Sequence, residues 1–283
     1  MLVARFAQAR LPAARPAAAP ERGADGVRER RGHVLRSREV ADDGAVIHSA
    51  GVAHAMSGLP EDDYRVLNTE ATIALARAAQ RAGVKRFIFL SSIRAQSGPT
   101  AEHVLTEDLA PQPTEAYGRS KLAAEQGLAE LDLDWVALRL VLVYGSGVKG
   151  NIAELVRFAR APYPLPLGAL RGRRSLLALD NLVAAIDTVL AAPGRLRRPF
   201  LVADPAALTI PEMITALRRG LNRSPGLIPV PPSLLEMGLR AAGRTEIYDR
   251  LAGSLVADPA ALLRLGWTPP VTTAEALAAL ARS

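Results

Sequence analysis

Three short runs of nearly unbroken apolar residues constrain what this chain can fold into. Ala45-Val46-Ile47-His48-Ser49-Ala50-Gly51 ends on small residues, Arg86-Phe87-Ile88-Phe89-Leu90-Ser91-Ser92 on two serines, and Trp135–Val143 runs into Tyr144-Gly145. A strand that is apolar on both faces needs cover on both faces, and parallel sheets receive it from helices. Helical patterns lie between the runs. Tyr64–Ala82 sets Leu67, Ala71, Ala74 and Ala78 on one face with Gly83 as its cap, and Tyr117–Leu131 is a second helix. The alternation predicts an α/β fold, a doubly wound parallel sheet over residues 41–145. Ligands on such sheets bind beyond the carboxyl ends of the strands, where Ser91, Ser92 and Tyr144-Gly145 fall. After residue 145 prolines become frequent. Residues 146–174 and 206–283 read as a smaller, mainly helical lobe. The segment 175–205 returns to the sheet through Ser175–Leu179 and Phe200–Val202. No internal repeat interrupts this order.

Composition narrows the function. With 49% apolar residues in 283 the chain can bury a core, and zero cysteines exclude disulfides, thiol nucleophiles and Fe–S clusters. Four unclustered histidines give no metal site; His48 and His54 read as core or strand-edge residues. No run approaches a membrane span, so the chain reads as soluble and cytoplasmic. The net charge of +7 is uneven. Residues 1–40 hold nine arginines against Glu21, Asp25, Glu29 and Glu39, which leaves +2 for the rest. Residues 10–40 are Ala-, Arg- and Pro-rich, with Ser37 their only serine, and read as poorly ordered or as a misassigned start, not a transit peptide. Lysines number three, and basic stripes interleaved with aromatics are missing, so no nucleic-acid partner is expected.

The chemistry concentrates at Tyr117-Gly118-Arg119-Ser120-Lys121. Tyrosine and lysine four residues apart on a helix share a face one turn apart. A phenol is a poor base at its ordinary pKa near 10, and a nearby ammonium favours the phenolate. The pair can then exchange a proton with an alcohol or ketone near neutral pH. Ser92, at a strand end, can hydrogen-bond the same oxygen.

Several segments follow one another in a telling order. They are Val46–Gly51, Asn68-Thr69-Glu70-Ala71-Thr72, Gly83–Ser92, Tyr117–Lys121, Arg139-Leu140-Val141-Leu142-Val143-Tyr144-Gly145 and Leu265-Gly266-Trp267-Thr268-Pro269. Over residues 45–270 this resembles the extended short-chain dehydrogenase/reductase family. Within that family the likeness is to the UDP-glucose 4-epimerase-like proteins and the 4-keto-sugar-nucleotide reductases of polysaccharide and O-antigen precursor synthesis. The resemblance implies a Rossmann-like sheet and NAD, with NADP left open. Tyr117 would be the catalytic acid/base, Lys121 would lower its pKa and hold the nicotinamide ribose, and Ser92 would orient the sugar 4-oxygen. Ala50, Gly51, Asn68 and Leu90 would line the cofactor. Arg174 would grip the nucleotide diphosphate, a task suited to a bidentate guanidinium, with Asn151 and Arg250 assisting. The partners implied are a nucleotide-sugar substrate and a second copy of the chain, docked through the helix carrying Tyr117.

One family feature is missing. The family opens with a strand and a Gly-x-x-Gly-x-x-Gly turn that meets the cofactor pyrophosphate. Here Gly23-x-x-Gly26 follows no strand, the next glycine is Gly32, and Leu2–Gln8 resembles the middle of the helix that should follow the turn. The expectation is an N-terminally incomplete sheet, with a degenerate relative that binds cofactor weakly as the other reading. An epimerase, a one-way 4-keto-sugar reductase and a non-catalytic regulatory relative all stay open.

Overall fold

The computed structural model describes residues 44–52, 60–147, 150–244, 248 and 251–282. In chain order the strands are β1 (Ala45–His48), β2 (Arg86–Ser92), β3 (Trp135–Leu140), β4 (Leu142–Tyr144), β5 (Arg173–Arg174), β6 (Leu176–Ala178), β7 (Arg198–Val202) and β8 (Leu208–Thr209). The helices are α1 (Glu61–Tyr64), continued by a π-turn (Arg65–Glu70) into α2 (Ala71–Arg81), then α3 (Ala116–Ala129), α4 (Asn151–Arg160) and α5 (Leu179–Ala191). They are followed by α6 (Ile210–Gly220), α7 (Pro232–Ala241), α8 (Ala260–Arg264) and α9 (Thr273–Arg282).

Strands β1, β2, β3 and β7 pair in that order, all parallel. Alternation along β2 shows why its run is unbroken. Phe87 and Phe89 pack with Trp135, Ala137, Ala76, Ala79, Ala124 and Leu128 on the face covered by α2 and α3. Ile88 and Leu90 pack with Val136, Leu138, Leu182 and Ile186 on the face covered by α5. Both faces of the strand are therefore core, and each of these side chains contributes roughly 1.5–3 kcal/mol of burial. The fold is α/β with a Rossmann-type doubly wound sheet. A second core, centred on Ile152, Leu155, Met213, Ile214, Leu217 and Leu277, belongs to the helical lobe. Trp267 is fully buried under β7 and donates its indole N–H to the Asn181 carbonyl, 3.2 Å away.

Three local expectations change. Leu67, expected on a buried face, is 48% exposed, and Ala71 and Ala74 are exposed too. The buried stripe is instead Tyr64, Asn68, Thr69, Thr72, Ala76 and Ala79. The offset is about one residue throughout, in α2 as well as in the π-turn: the face turned inward is the one whose polar side chains, Asn68, Thr69 and Thr72, find partners in α3 and β1, and the alanines do not decide it. The run Trp135–Val143 splits at Val141. Its partners β2 and β7 end at Ser92 and Val202, so the chain leaves the sheet, and β4 pairs with β6 instead. For the same reason Leu176–Ala178 joins β4 and not the four-stranded sheet, whereas β7 does join it.

The amino ends of the strands are clamped. Arg86 pairs with Asp134 (2.7 Å, both buried) and donates to the carbonyls of Val189, Ala192 and Gly194 at the end of α5. That cation satisfies carbonyls the helix leaves unpaired. A cleft of about 620 Å³ lies at this end, lined by Lys85, Asp132, Asp134 and Arg195 among others. Its location is opposite to the strand ends that carry Ser92, and it holds no nucleophile beside a base.

His48 is buried at the end of β1. It hydrogen-bonds Thr72 Oγ1 at 2.9 Å, and its ring stacks on Phe89. Burial pushes its pKa down to about 4, and the charge of Lys121 acts in the same sense. An unfolded histidine binds its proton near pH 6.5, so the folded state loses stability as pH falls from there through about 4. His48→Gln is expected to flatten this acid limb by up to ~3 kcal/mol in urea titrations at pH 7 and pH 4. An unchanged limb would show that His48 does not control it.

Candidate active site

The site forms where β1 and β2 end and α3 begins. At the end of β1, Ala50 and Gly51 are exposed in a turn. A Cβ on Gly51 would lie 2.7 Å from Asn68 Oδ1 and 3.5 Å from Lys121 Nζ, so the turn must be bare backbone. Asn68, fully buried within the π-turn, accepts from the Val52 N–H (2.8 Å) and donates to the Val52 carbonyl (3.2 Å) and to Ser120 Oγ (3.1 Å). One side chain thus ties the β1 turn to α3.

On α3, Lys121 is buried and donates to the Leu90 carbonyl at 3.1 Å, with Nζ 4.5 Å from the Phe89 ring centroid. Burial pushes its pKa down to about 8, against the opposing pull of Glu125. Tyr117 sits one turn earlier, edge-on to Tyr64. Burial pushes its phenol up; a hydrogen bond with Ser92 and the charge of Arg94 pull it down. The spacing alone points to Lys121 as the cation acting on Tyr117. In the structure Lys121 Nζ stands 6.0 Å from the ring centroid, and Arg94 is a further cation whose charge favours the phenolate.

The two serines ending β2 part company. Ser92 Oγ accepts from the Arg94 N–H (3.2 Å), capping the short helical turn Ile93–Ala95, and engages Tyr117. Ser91 faces the other way and donates to Glu125. Glu125 lies one turn past Lys121 and forms a buried ion pair with Arg139 of β3 (2.6 Å), which also contacts Gln96. Glu125, Gln96 and Arg94 escape a reading by motif, and the segment that opens on Arg139 does not disclose its buried ion pair. Glu125 alone left a signal, being on the same helical stripe as Tyr117 and Lys121.

The structure thus brings Ser92, Tyr117, Lys121, Leu90, Asn68 and Gly51 together. Arg174 on β5 lies near enough to Arg94 for the like charges to act on each other. Asn151 opens α4 in the second lobe and is exposed. Tyr144, beyond the sheet, points inward: it is buried, donates to the Thr273 carbonyl (3.1 Å), and lies against Asp204. Arg250, His54, residues 1–40 and the Gly23-x-x-Gly26 segment lie outside the described residues. No helix among the described residues is long and apolar enough to cross a membrane.

A parallel sheet with a Tyr-x-x-x-Lys helix against a serine-ended strand defines an enzyme of the short-chain dehydrogenase/reductase class. Residues 32–203 match the family model "NAD dependent epimerase/dehydratase family", and the chain belongs to that family. It is 36% identical over 241 residues to a UDP-glucose 4-epimerase of Vibrio cholerae, covering 81% of this chain and 73% of that one. In fold it is similar to a UDP-glucuronic acid 4-epimerase from Bacillus cereus in complex with NAD. That match has a TM-score of 0.67 and 19% identity, over 87% of this chain and 74% of the other. It is also similar to RMD from Pseudomonas aeruginosa complexed with NADPH (TM-score 0.68, 23% identity, 99% and 93% covered).

Lys121 gives a direct test of what the site costs the fold. Its ordinary pKa of 10.5 is depressed, so its burial penalty is fully present below pH 8 and disappears as pH rises towards 10.5. Lys121→Met is therefore expected to raise stability at pH 7 by about 1–3 kcal/mol, with the gain shrinking above pH 8. Chemical denaturation across that range checks it, and a destabilised variant at pH 7 would contradict it.

Proposed function

We propose that this enzyme epimerises a nucleotide-diphosphate sugar, a UDP sugar, at C4, in the supply of precursors for a polysaccharide or O-antigen. The observation that carries the reading is the Tyr117 phenol, half-buried and hydrogen-bonded to Ser92 one turn from the buried ammonium of Lys121. The likeness to the Vibrio UDP-glucose 4-epimerase supports it.

The residues fit the nicotinamide end of a dinucleotide. Gly51 leaves a surface that a Cβ would fill, and Asn68 holds that turn in place. Lys121, anchored on the Leu90 carbonyl, would hold a ribose hydroxyl of the cofactor, and Leu90 would line its site. When bound, NAD supplies the hydride acceptor and donor. The chain's own residues manage the proton. Ser92 hydrogen-bonds the sugar 4-oxygen and fixes it against Tyr117. The Tyr117 oxygen takes the 4-hydroxyl proton as that carbon is oxidised, and returns it once the 4-keto sugar has presented its other face. Burial raises the phenol's pKa, so the proton is held between the two half-reactions; Arg94 and Ser92 keep the phenolate accessible. Arg174 holds the diphosphate.

Tyr117→Phe is expected to lower kcat by about 10²–10⁴-fold, with substrate binding little changed. An epimerase shows no net change in nicotinamide absorbance while the sugar ratio moves to equilibrium. Steady loss of the reduced cofactor would assign the 4-keto-sugar reductase reading instead, and undiminished turnover by Tyr117→Phe would remove both.

A further inference from the structure

Arg94 has an unusual position for a guanidinium. It follows Ser92 by two residues in the turn Ile93–Ala95, and its backbone carbonyl lies where a Cβ on Gly118 would collide with it. The turn is therefore pressed against the first turn of α3, with no room to slide away from Tyr117. Its side chain is 16% exposed. One arm reaches Glu115, but Nη2 to Oε1 is 3.4 Å, long for a charge-assisted bond. The other arm, Nη1, is buried and has no hydrogen-bond partner. Its charge acts on both Tyr117 and Arg174.

Two guanidiniums drawn together and half desolvated repel each other, and a buried N–H without an acceptor is costly. Proteins keep such arrangements where an anion completes them. We propose that Arg94 binds an oxyanion of the substrate, forming with Arg174 a two-guanidinium cradle beside Tyr117. Glu115 holds the guanidinium in place until the anion arrives. The anion has two sources in one class of molecule: the diphosphate, or a carboxylate on the sugar of a nucleotide-linked uronic acid. The proposal rests on the nucleotide-sugar reading and assigns Arg94 the choice among such substrates.

Isothermal titration of the full chain, with NAD present, measures binding of UDP, UDP-glucose and UDP-glucuronate to wild type, Arg94→Gln, Arg94→Lys and Glu115→Gln. A diphosphate ligand predicts that Arg94→Gln weakens all three by about tenfold or more, with partial recovery in Arg94→Lys. A carboxylate ligand predicts that only UDP-glucuronate weakens. Glu115→Gln separates ligation from support. It leaves the guanidinium in place, so it is expected to preserve affinity, whereas an arginine that merely buttresses Glu115 would show equal losses in Arg94→Gln and Glu115→Gln. Equal losses, or no loss in Arg94→Gln, overturn the proposal. Wild type that binds UDP or a UDP sugar while Arg94→Gln binds equally well leaves the epimerase reading standing. Wild type that binds none of the three removes both.

Discussion

Beneath Tyr117 and Lys121, Glu125 and Arg139 form an ion pair in which both side chains are 4% exposed. Charges that deep are tolerated only when every partner is supplied, and here the partners come from different elements. Glu125 belongs to the Tyr117 helix, Arg139 to β3, Ser91 to β2, and Gln96 to the segment just past the Arg94 turn. The network welds the helix to the strand ends at one height. The upper turn of α3, with Lys121 and Tyr117, then has no freedom to shift along the sheet. Loss of either partner would strand a buried charge, at about 3–5 kcal/mol. Removing both together would cost far less, which marks the pair as a device for placement more than for stability.

The same economy appears at the other end of the strands. Arg86 and Asp134 fasten β2, the approach to β3 and the end of α5, at the strand ends remote from Ser92. Between these two charged fasteners β2 is apolar, Phe87 to Leu90 facing alternate cores. Specific polar contacts thus sit at the two ends of this strand, and undirected burial fills the middle. Beyond the end of β7 Asp204 plays a comparable part. It accepts from the Ala178 N–H (3.1 Å) and Asn181 (2.7 Å) and faces Tyr144, so the turn after β7 is joined to β6 and α5.

The extent to which this was legible in the sequence follows from what each signal depends on. Unbroken apolar runs announce strands of a covered sheet, because burial on two faces leaves no place for polar residues; β2 and β7 follow. Tyr117 and Lys121 are legible because their relation is local, four residues on one helix. The phase of the preceding helix is not. The buried stripe there is polar, Asn68, Thr69 and Thr72, so apolar periodicity does not mark it. The end of β3 is hidden because apolar residues continue past Val141, while the limit is set by the lengths of β2 and β7. Arg94 is hidden most completely. Nothing in Ser92-Ile93-Arg94 says that the guanidinium folds inward; that depends on a glycine 24 positions further along, Gly118, admitting the turn against the helix.

The π-turn has a consequence for how this site could be gained or lost. A substitution at Asn68 removes one side chain and leaves its surroundings where they were. A one-residue deletion between Arg65 and Glu70 would restore a regular period and turn α1 by about 100° against α2, so that Tyr64 and the face that carries Thr72 and Ala76 no longer look the same way. The α2 residues beyond would keep their bonds to one another. In such a chain the apolar side chains Val66 and Leu67 would be re-aimed as well, so a single codon governs both what the helix offers the cleft and what it shows to solvent. Length, and not composition, is the information stored in that segment.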